Sequence, residues 1–468
     1  MSFRARLTRP AGTRGEPGIE DEVAVLGLAR SGRAVAELLV RNGCRVYASD
    51  VAISAEVLES AKELDKLGVF VQTGGHDLPK IASAAFVVLS PGIPPNAPAV
   101  RVARDLSRLI VSEVEIALAF LQKSRVIAVT GTNGKTTTTA LIAHMLRALG
   151  ADAVPAGNIG TPLSTIALRP HHPDWIALEM SSFQLHDTPN LKPAVGVLTN
   201  LGPDHLDRYP SVEEYFADKA RLFANAEDMS KWVVNADDHR ALKMSDGVPG
   251  KRYLFSISSK ADACYDTASL TLKVFGKELL PRAELSLMGS HNVANALAAS
   301  LAVMVADPAF AKTDARRTIA EALRTFHALP HRLELVAEIK GVRWVNDSKA
   351  TNVGSTKVAI EGMERPTILL LGGRHKGESY ASLGDAIAKD VKLVIAFGEA
   401  APLIASDLSG IAQVEQLGSD FEEVVAAARK AASAGDTVLL SPACSSYDMF
   451  VNYEERGETF RRLVKELG

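Results

Sequence analysis

The chain has 468 residues, 47% hydrophobic and 23% charged, with a formal net charge of -3. That length suits about three domains of ordinary globular composition, and the near-neutral balance argues against a nucleic-acid partner. No apolar run approaches the ~20 residues of a bilayer span, so no membrane insertion is expected. The three cysteines, Cys44, Cys264 and Cys444, are far apart with no CxxC pair, which suits a reducing, cytoplasmic setting without disulfides or a thiolate metal centre.

Residues 1–20 scatter Arg4, Arg6, Arg9 and Arg14 among glycine and proline and lack a secretory signal's apolar core. They read as a flexible tail. From Glu22 the run EVAVLGLARSGRAVAELLV predicts strand, glycine turn and helix. The turn, Gly27 to Gly32, keeps the first and last glycines of a dinucleotide fingerprint but has Ala29 in the middle, where a Cβ would crowd a pyrophosphate. A further strand, Cys44 to Ser49, ends at Asp50, where such folds place an acid on a ribose hydroxyl. A later strand ends in the loop Ser90-Pro91-Gly92-Ile93-Pro94-Pro95, with Gly92 free to approach a ligand. Residues 21–111 therefore read as a Rossmann-like domain for a nucleotide-bearing ligand. A dehydrogenase is the competing reading of the glycine turn, and Ala29 speaks against it.

A second domain, 112–328, is organised around VIAVTGTNGKTTTT. The strand Val126–Val129 enters Gly131-Thr132-Asn133-Gly134-Lys135-Thr136-Thr137, and a helix is expected over Ala140–Leu149. Converging backbone N–H groups and the helix dipole make an anion cradle; Lys135 reaches the outer phosphates and Thr136 offers a hydroxyl to magnesium. The pattern is a shortened P-loop, since Val129 stands where the full motif has its first glycine. Asn158, in Gly157-Asn158-Ile159-Gly160, offers an amide. The strand Trp175–Leu178 leads to Glu179, an acid at a strand end where an NTP site needs a magnesium ligand. The strand Val195–Thr199 opens into NLGPDHLDRY, whose Asp204, His205 and Asp207 suit a metal or phosphate role. On sequence physics Lys219 is an exposed helical lysine paired i, i+4 with Tyr215. Residues 244–267 read as loop. In LSLMGSHNVANALAASLAVM, Asn292 and Asn295 stand on the first turns of a helix, set to meet a base or ribose or, for Asn292, to cap it.

The third domain, 329–468, alternates the strands VRWVNDS, TILLLGG, LVIAFG and DTVLLSPA with helices, which implies a second Rossmann-like, doubly wound parallel sheet. Its polar clusters, 346–352, 372–377 and 441–448, should share one edge.

Taken together, GTNGKTT, EMSSFQL, NLGPDHLDRY, SHNVANALAA, PHRLE, NDSKATN and SPACSSYDMF resemble the Mur ligases in content and order, from about Val23 to Leu467. The resemblance implies a three-domain α/β enzyme that forms an amide bond with ATP and two magnesium ions, releasing ADP and phosphate in peptidoglycan precursor synthesis. Its implied substrates are UDP-N-acetylmuramoyl-L-alanine and D-glutamate, because an Asp-Asn-Pro-Arg-like motif of the lysine/diaminopimelate-adding members is absent. A sister member adding another amino acid is the alternative, and a monomer is expected. By the same resemblance Lys135, His205 and Lys219 are catalytic. Gly131 to Thr137, Asn295, Arg332 and Asp347 bind ATP, and Thr136, Glu179, His205 and a carbamylated Lys219 hold metal. Leu28, Ala29, Arg30, Asp50, Gly92, Asn158 and Gln184 face the UDP substrate. Lys349, Thr351, Lys376, Ser446 and Tyr453 bind D-glutamate, with Tyr453 standing where the family usually has phenylalanine.

Overall fold

The computed structural model describes residues 22–158, 160–204 and 208–468. The expected tail, residue 159 and the site candidate His205 lie outside the described residues.

Three α/β sheets follow one another along the chain. The first has β1 (Val23–Leu26), β2 (Val46–Asp50), β3 (Phe70–Thr73), β4 (Phe86–Leu89) and β5 (Leu109–Ser112), in the order β3-β2-β1-β4-β5. All its pairings are parallel. Strand order reverses between β1 and β4, which opens a crevice above their C-terminal ends. Ser112 ends β5 and caps the next helix, its hydroxyl accepting from the Glu115 N–H.

The second sheet has nine strands. They are β6 (Arg125–Thr130), β7 (Ala153–Gly157), β8 (Trp175–Glu179), β9 (Val195–Leu198), β10 (Lys231–Asn235), β11 (Lys251–Ser256), β12 (Ala263–Asp266), β13 (Thr271–Val274) and β14 (Lys277–Pro281), ordered β14-β13-β12-β11-β10-β9-β6-β8-β7. Pairings from β7 to β12 are parallel, and β12 meets β13 antiparallel. The expected loop at 244–267 is thus corrected to β11 and β12. Their buried faces are short, and the intervening serines and aspartates mask a strand pattern.

The third sheet orders β15 (Glu334–Ile339), β16 (Val342–Asn346), β17 (Thr367–Gly372), β18 (Val391–Phe397), β19 (Val414–Gln416) and β20 (Thr437–Leu440) as β15-β16-β20-β17-β18-β19. Five strands run parallel, and β15 lies antiparallel on the β16 edge. This edge strand, half-exposed and carrying Glu334 and Glu338, shows no clean alternation and escaped the sequence pattern. Asn346 and Leu370 both register with Leu440, so the three polar clusters after β16, β17 and β20 do emerge at one edge.

By compactness the chain forms two units. One runs up to Leu279 with Asn295–Ala322 and holds the first sheet and nearly all of the second; the other is Leu280–Ala294 with Leu323–Gly468. In the first, one apolar core runs from Val25 and Leu38 through Val114 and Leu163 to Ile176. Among the described residues no helix is long and apolar enough to cross a membrane, and all three cysteines are free.

Candidate active site

Burying β6 between β8 and β9 aims its glycine loop out of the interior of the second sheet. Two glycines there are obligatory. Gly131 has φ +146°, and a Cβ on it would stand 2.0 Å from Thr199 Oγ1; Gly134 has φ +81°, and its Cβ would stand 2.3 Å from Asn295 Oδ1. Gly134 caps the helix Lys135–Ala148 in the left-handed conformation. The helix therefore begins five residues before the apolar pattern at Ala140 indicates. Neighbouring segments brace the loop: Thr199 Oγ1 donates to Asn133 O (2.6 Å), and the Asn133 N–H donates to Asn200 Oδ1 (2.8 Å). Lys135 Nζ folds back onto Gly131 O (2.9 Å) and Thr132 O (2.8 Å). A phosphate offers the same ammonium stronger, charged acceptors. Thr136 and Thr137 stand half-buried on the helix's first turn, and Asn295 is buried against the loop, accepting from Thr138 Oγ1.

Glu179 ends β8 one strand away from this loop. It is buried; Asn158 Nδ2 donates to its Oε1 (2.8 Å), while Oε2 has no hydrogen-bond partner. A buried carboxylate oxygen without a donor is costly unless something positive meets it.

Lys219 corrects the exposed-lysine reading: it is 1% exposed. Its Nζ donates to Gly131 O (2.7 Å) and lies 4.6 Å from the centre of the Tyr215 ring. Burial holds its pKa well below the usual lysine value, and the charge of Lys135 adds to this; Asp204, Glu179 and Asp218 pull the other way. Adjacent Asp218 is already engaged, accepting from Tyr209 OH (3.0 Å) and Arg221 Nε (3.1 Å) and pairing with His186 Nδ1 (2.7 Å). The loop, Glu179, Asn158, Asn295 and Lys219 thus converge.

A cavity of ≈ 520 Å³ sits over the first sheet's crevice. Ala29, Arg30, Asp50, Gly92, Asn158 and Gln184 all line it, as does His76, which sequence reasoning did not single out. Leu28 does not: its side chain is fully buried in the core, and only its backbone is near, donating to Asp50 Oδ2 (2.8 Å). Asp50 Oδ1 accepts from the Ala52 N–H (2.8 Å), so one of its oxygens braces the glycine turn and the other the segment after β2. Gln184 Oε1 completes a capping box with Ser181. A Cβ on Gly92 would meet nothing. A second cavity, ≈ 670 Å³, shares Ser90, Pro91, Ile93, Pro94 and Gln184 with the first and adds Phe183, Arg208 and Tyr209.

In the other unit, Asp347 is buried at the end of β16. It accepts from Ser441 Oγ (2.8 Å) and the Leu333 N–H (3.2 Å). Burial pushes its pKa up to about 7 against those hydrogen bonds and the Arg332 charge. Lys376, exposed, donates to Thr351 Oγ1 (3.2 Å). Lys349 Nζ lies 3.7 Å over the Tyr453 ring, Tyr453 O accepts from Ser348 Oγ (2.9 Å), and Ser446 is buried in the neighbouring loop. Asn292 is not a cap: its Nδ2 reaches back to Met288 O (2.7 Å) from inside the helix Ser290–Ala306.

Sequence reasoning missed Arg456. Fully buried, it donates to Ser348 Oγ (2.9 Å), Ser348 O (2.9 Å) and Cys444 O (3.3 Å), tying two of the polar loops together. Nothing in YEERGETF marks that arginine as buried.

Three family models match in order: Mur ligase MurD-like, N-terminal domain over 21–112; Mur ligase middle domain over 129–303; and Mur ligase, glutamate ligase domain over 331–444. The UDP-N-acetylmuramoylalanine–D-glutamate ligase of Salinibacter ruber is 38% identical over 95% of this chain and 97% of that relative. The one of Syntrophotalea carbinolica is 40% identical over 95% and 97%. Among solved structures, MurF ligase from Thermotoga maritima in complex with ADP aligns with a TM-score of 0.61 at 16% identity, covering 100% of both chains. UDP-N-acetylmuramate-alanine ligase MurC from the same organism aligns at 0.60 and 19%, covering 96% of this chain and 100% of its own. At such identities the structures speak for the fold, while the family models and the nearly full-length relatives carry the assignment: this chain belongs to the Mur ligase family.

Proposed function

We propose that the chain joins D-glutamate to UDP-N-acetylmuramoyl-L-alanine at the expense of ATP, releasing ADP and phosphate in peptidoglycan precursor synthesis. The observation that carries the structural side of this reading is the buried, unpartnered Glu179 Oε2 beside a P-loop that Lys135 and Lys219 both contact. It fits a hard cation: with the Thr136 hydroxyl and a Lys219 carbamate, Glu179 would give magnesium an oxygen donor set. Among the described residues no three His, Cys, Asp or Glu side chains gather for a metal, so ATP phosphates would complete the shell, and His205 is the candidate for a second ion. When bound, magnesium offsets the anionic charge of nucleotide and acyl substrate.

Lys135 leaves the Gly131 and Thr132 carbonyls for the outer phosphates and stabilises the charge on the transferring phosphoryl group. The precursor's carboxylate oxygen bonds to the γ-phosphorus in line as the bond to ADP breaks, giving an acyl phosphate. The deprotonated glutamate amine then attacks the acyl carbon, and phosphate leaves. Burial favours the neutral Lys219 amine, the form that adds to CO₂ and loses a proton to become a carbamate. Gly131 to Thr137, Asn295, Arg332 and Asp347 hold the nucleotide. The ≈ 520 Å³ cavity takes the UDP moiety, and Lys349, Thr351, Lys376, Ser446 and Tyr453 take D-glutamate. Domain limits of 21–111, 112–328 and 329–468, a monomer and a cytoplasmic setting complete the reading.

ADP release, measured with each UDP-muramoyl precursor against each amino acid, tests it. Turnover should require UDP-N-acetylmuramoyl-L-alanine and D-glutamate together; turnover with another pair would make this a sister ligase.

A further inference from the structure

Ser90–Pro94 of the loop Ser90–Pro95 form one wall of the ≈ 520 Å³ cavity, and the loop's prolines limit its own hydrogen bonding. Pro91, Pro94 and Pro95 have no N–H to give, and within the loop the Ile93 N–H to Ser90 O (3.1 Å) is the sort of bond that remains. The loop's ends are tied on the first sheet's side, where the Ser90 N–H donates to Leu26 O (3.1 Å) and Arg104 Nη1 donates to Pro95 O (3.0 Å). The stretch between them is supported from the second sheet's side. Arg208, in the segment between β9 and the helix Val212–Ala220, donates Nη2 to Ile93 O (2.8 Å) and Nη1 to Pro91 O (3.3 Å). Its guanidinium carbon also lies over Phe183, 4.1 Å from the ring centre, and Phe183 stacks on Tyr209 at 5.1 Å and 15°. Tyr209 in turn donates to Asp218, the neighbour of Lys219. One planar fork therefore fixes two loop carbonyls while it packs against an aromatic ring, a job a lysine's point charge cannot do.

We infer that Arg208 is a positioning residue for the nucleotide half of the substrate. By gripping the Pro91 and Ile93 carbonyls it holds the Ser90–Pro94 wall in its binding position, without touching the ligand itself. The inference rests on reading the ≈ 520 Å³ cavity as the UDP pocket. Without the grip the Pro91–Ile93 stretch of the wall loosens in the free protein, and ligand binding must then bear the cost of ordering it. The effect falls on binding of the uridine ligand, not on ATP.

Calorimetry with UDP alone, on the full chain as wild type, Arg208→Ala and Arg208→Lys, separates the possibilities. Arg208→Ala should bind UDP about 10-fold or more weakly, the scale of a charged hydrogen-bond pair, with Arg208→Lys in between. The KM for the UDP-muramoyl substrate should rise in parallel while the KM for ATP stays. Amide exchange at Gly92 and Ile93 should quicken in the ligand-free variants. Equal UDP affinity in a folded variant would overturn the inference. So would a fall in thermal midpoint with UDP affinity and ATP KM worsening together, which marks a merely structural arginine. If Arg208→Ala does not fold, Arg208→Lys carries the same comparison. A wild type that does not bind UDP would sink the pocket reading first, and this inference with it.

Discussion

Replacing Lys219 by methionine separates a structural lysine from a functional one. The side chain is 1% exposed, and its contacts include a 2.7 Å hydrogen bond to Gly131 O and the Tyr215 ring face. Methionine nearly matches its volume, so the packing cost is under ~1.5 kcal/mol. Losing the hydrogen bond costs about 0.5–1.5 kcal/mol for a neutral amine and about 1.5–3 for a charged one. Against this, the variant no longer buries a group whose charged form burial and Lys135 disfavour. The net loss in the ligand-free protein should therefore stay below about 2 kcal/mol, while turnover falls on the order of 10²-fold or more. Lys219→Arg, which keeps the positive charge but cannot become a carbamate, should be as inactive. Because the folded pKa lies below the unfolded value of 10.5, the unfolded state binds more protons. The wild type should thus gain stability relative to Lys219→Met as pH rises toward 10.5, and lose it as pH falls. Urea melts across pH and ADP-release assays with and without bicarbonate read these effects. A loss of about 4 kcal/mol or more in the methionine variant, of the size that cavity formation causes, would make the lysine structural. Near-normal turnover in Lys219→Arg would refute the carbamate.

Lys135→Ala should cost on the order of 10²-fold or more in turnover; a near-normal rate would remove the glycine loop from phosphoryl transfer. Lys376→Ala should raise the KM for D-glutamate about 10-fold, while hydroxylamine still traps as much acyl phosphate as in wild type. If trapping fails and the glutamate KM is unchanged, Lys376 serves another step. Glu113, buried and accepting the Ser164 N–H, has its pKa pushed up to about 7 by burial against that hydrogen bond. The folded state then binds the extra proton, so the wild type should lose stability from about pH 4.5 to above 7, whereas Glu113→Gln should not. Parallel pH profiles of their urea midpoints would show that the carboxyl is not protonated as described.

How much was legible depended on how local the information was. The glycine loop could be read because strand, turn chemistry and the start of the helix lie in fourteen consecutive residues, and Gly131 and Gly134 announce backbone that other residues rarely adopt. The three sheets could be read for a similar reason, since buried parallel strands are short apolar runs. Missed elements have exposed or mixed faces: β11, β12 and β15 pair at or toward sheet edges, where period-2 burial fades.

Side-chain roles were least legible where burial decides them. Lys219 looks the same in sequence whether it faces water or Gly131, and only the packing of its helix against the loop sets the difference. Arg456 and Arg208 act through carbonyls more than a hundred residues away, a relation no local pattern encodes. Asp50 stands where a ribose acid was expected, and its two oxygens also accept backbone N–H groups, Leu28 in the glycine turn and Ala52 just after β2. What the sequence determined by itself is the set of sheets and the phosphate cradle, because strand burial and turn geometry are short-range properties of the chain. What only the tertiary structure decided is which charged groups are stripped of water and which polar atoms are left without partners. Those are properties of the packed interior, where desolvation, rather than residue type, fixes the chemistry.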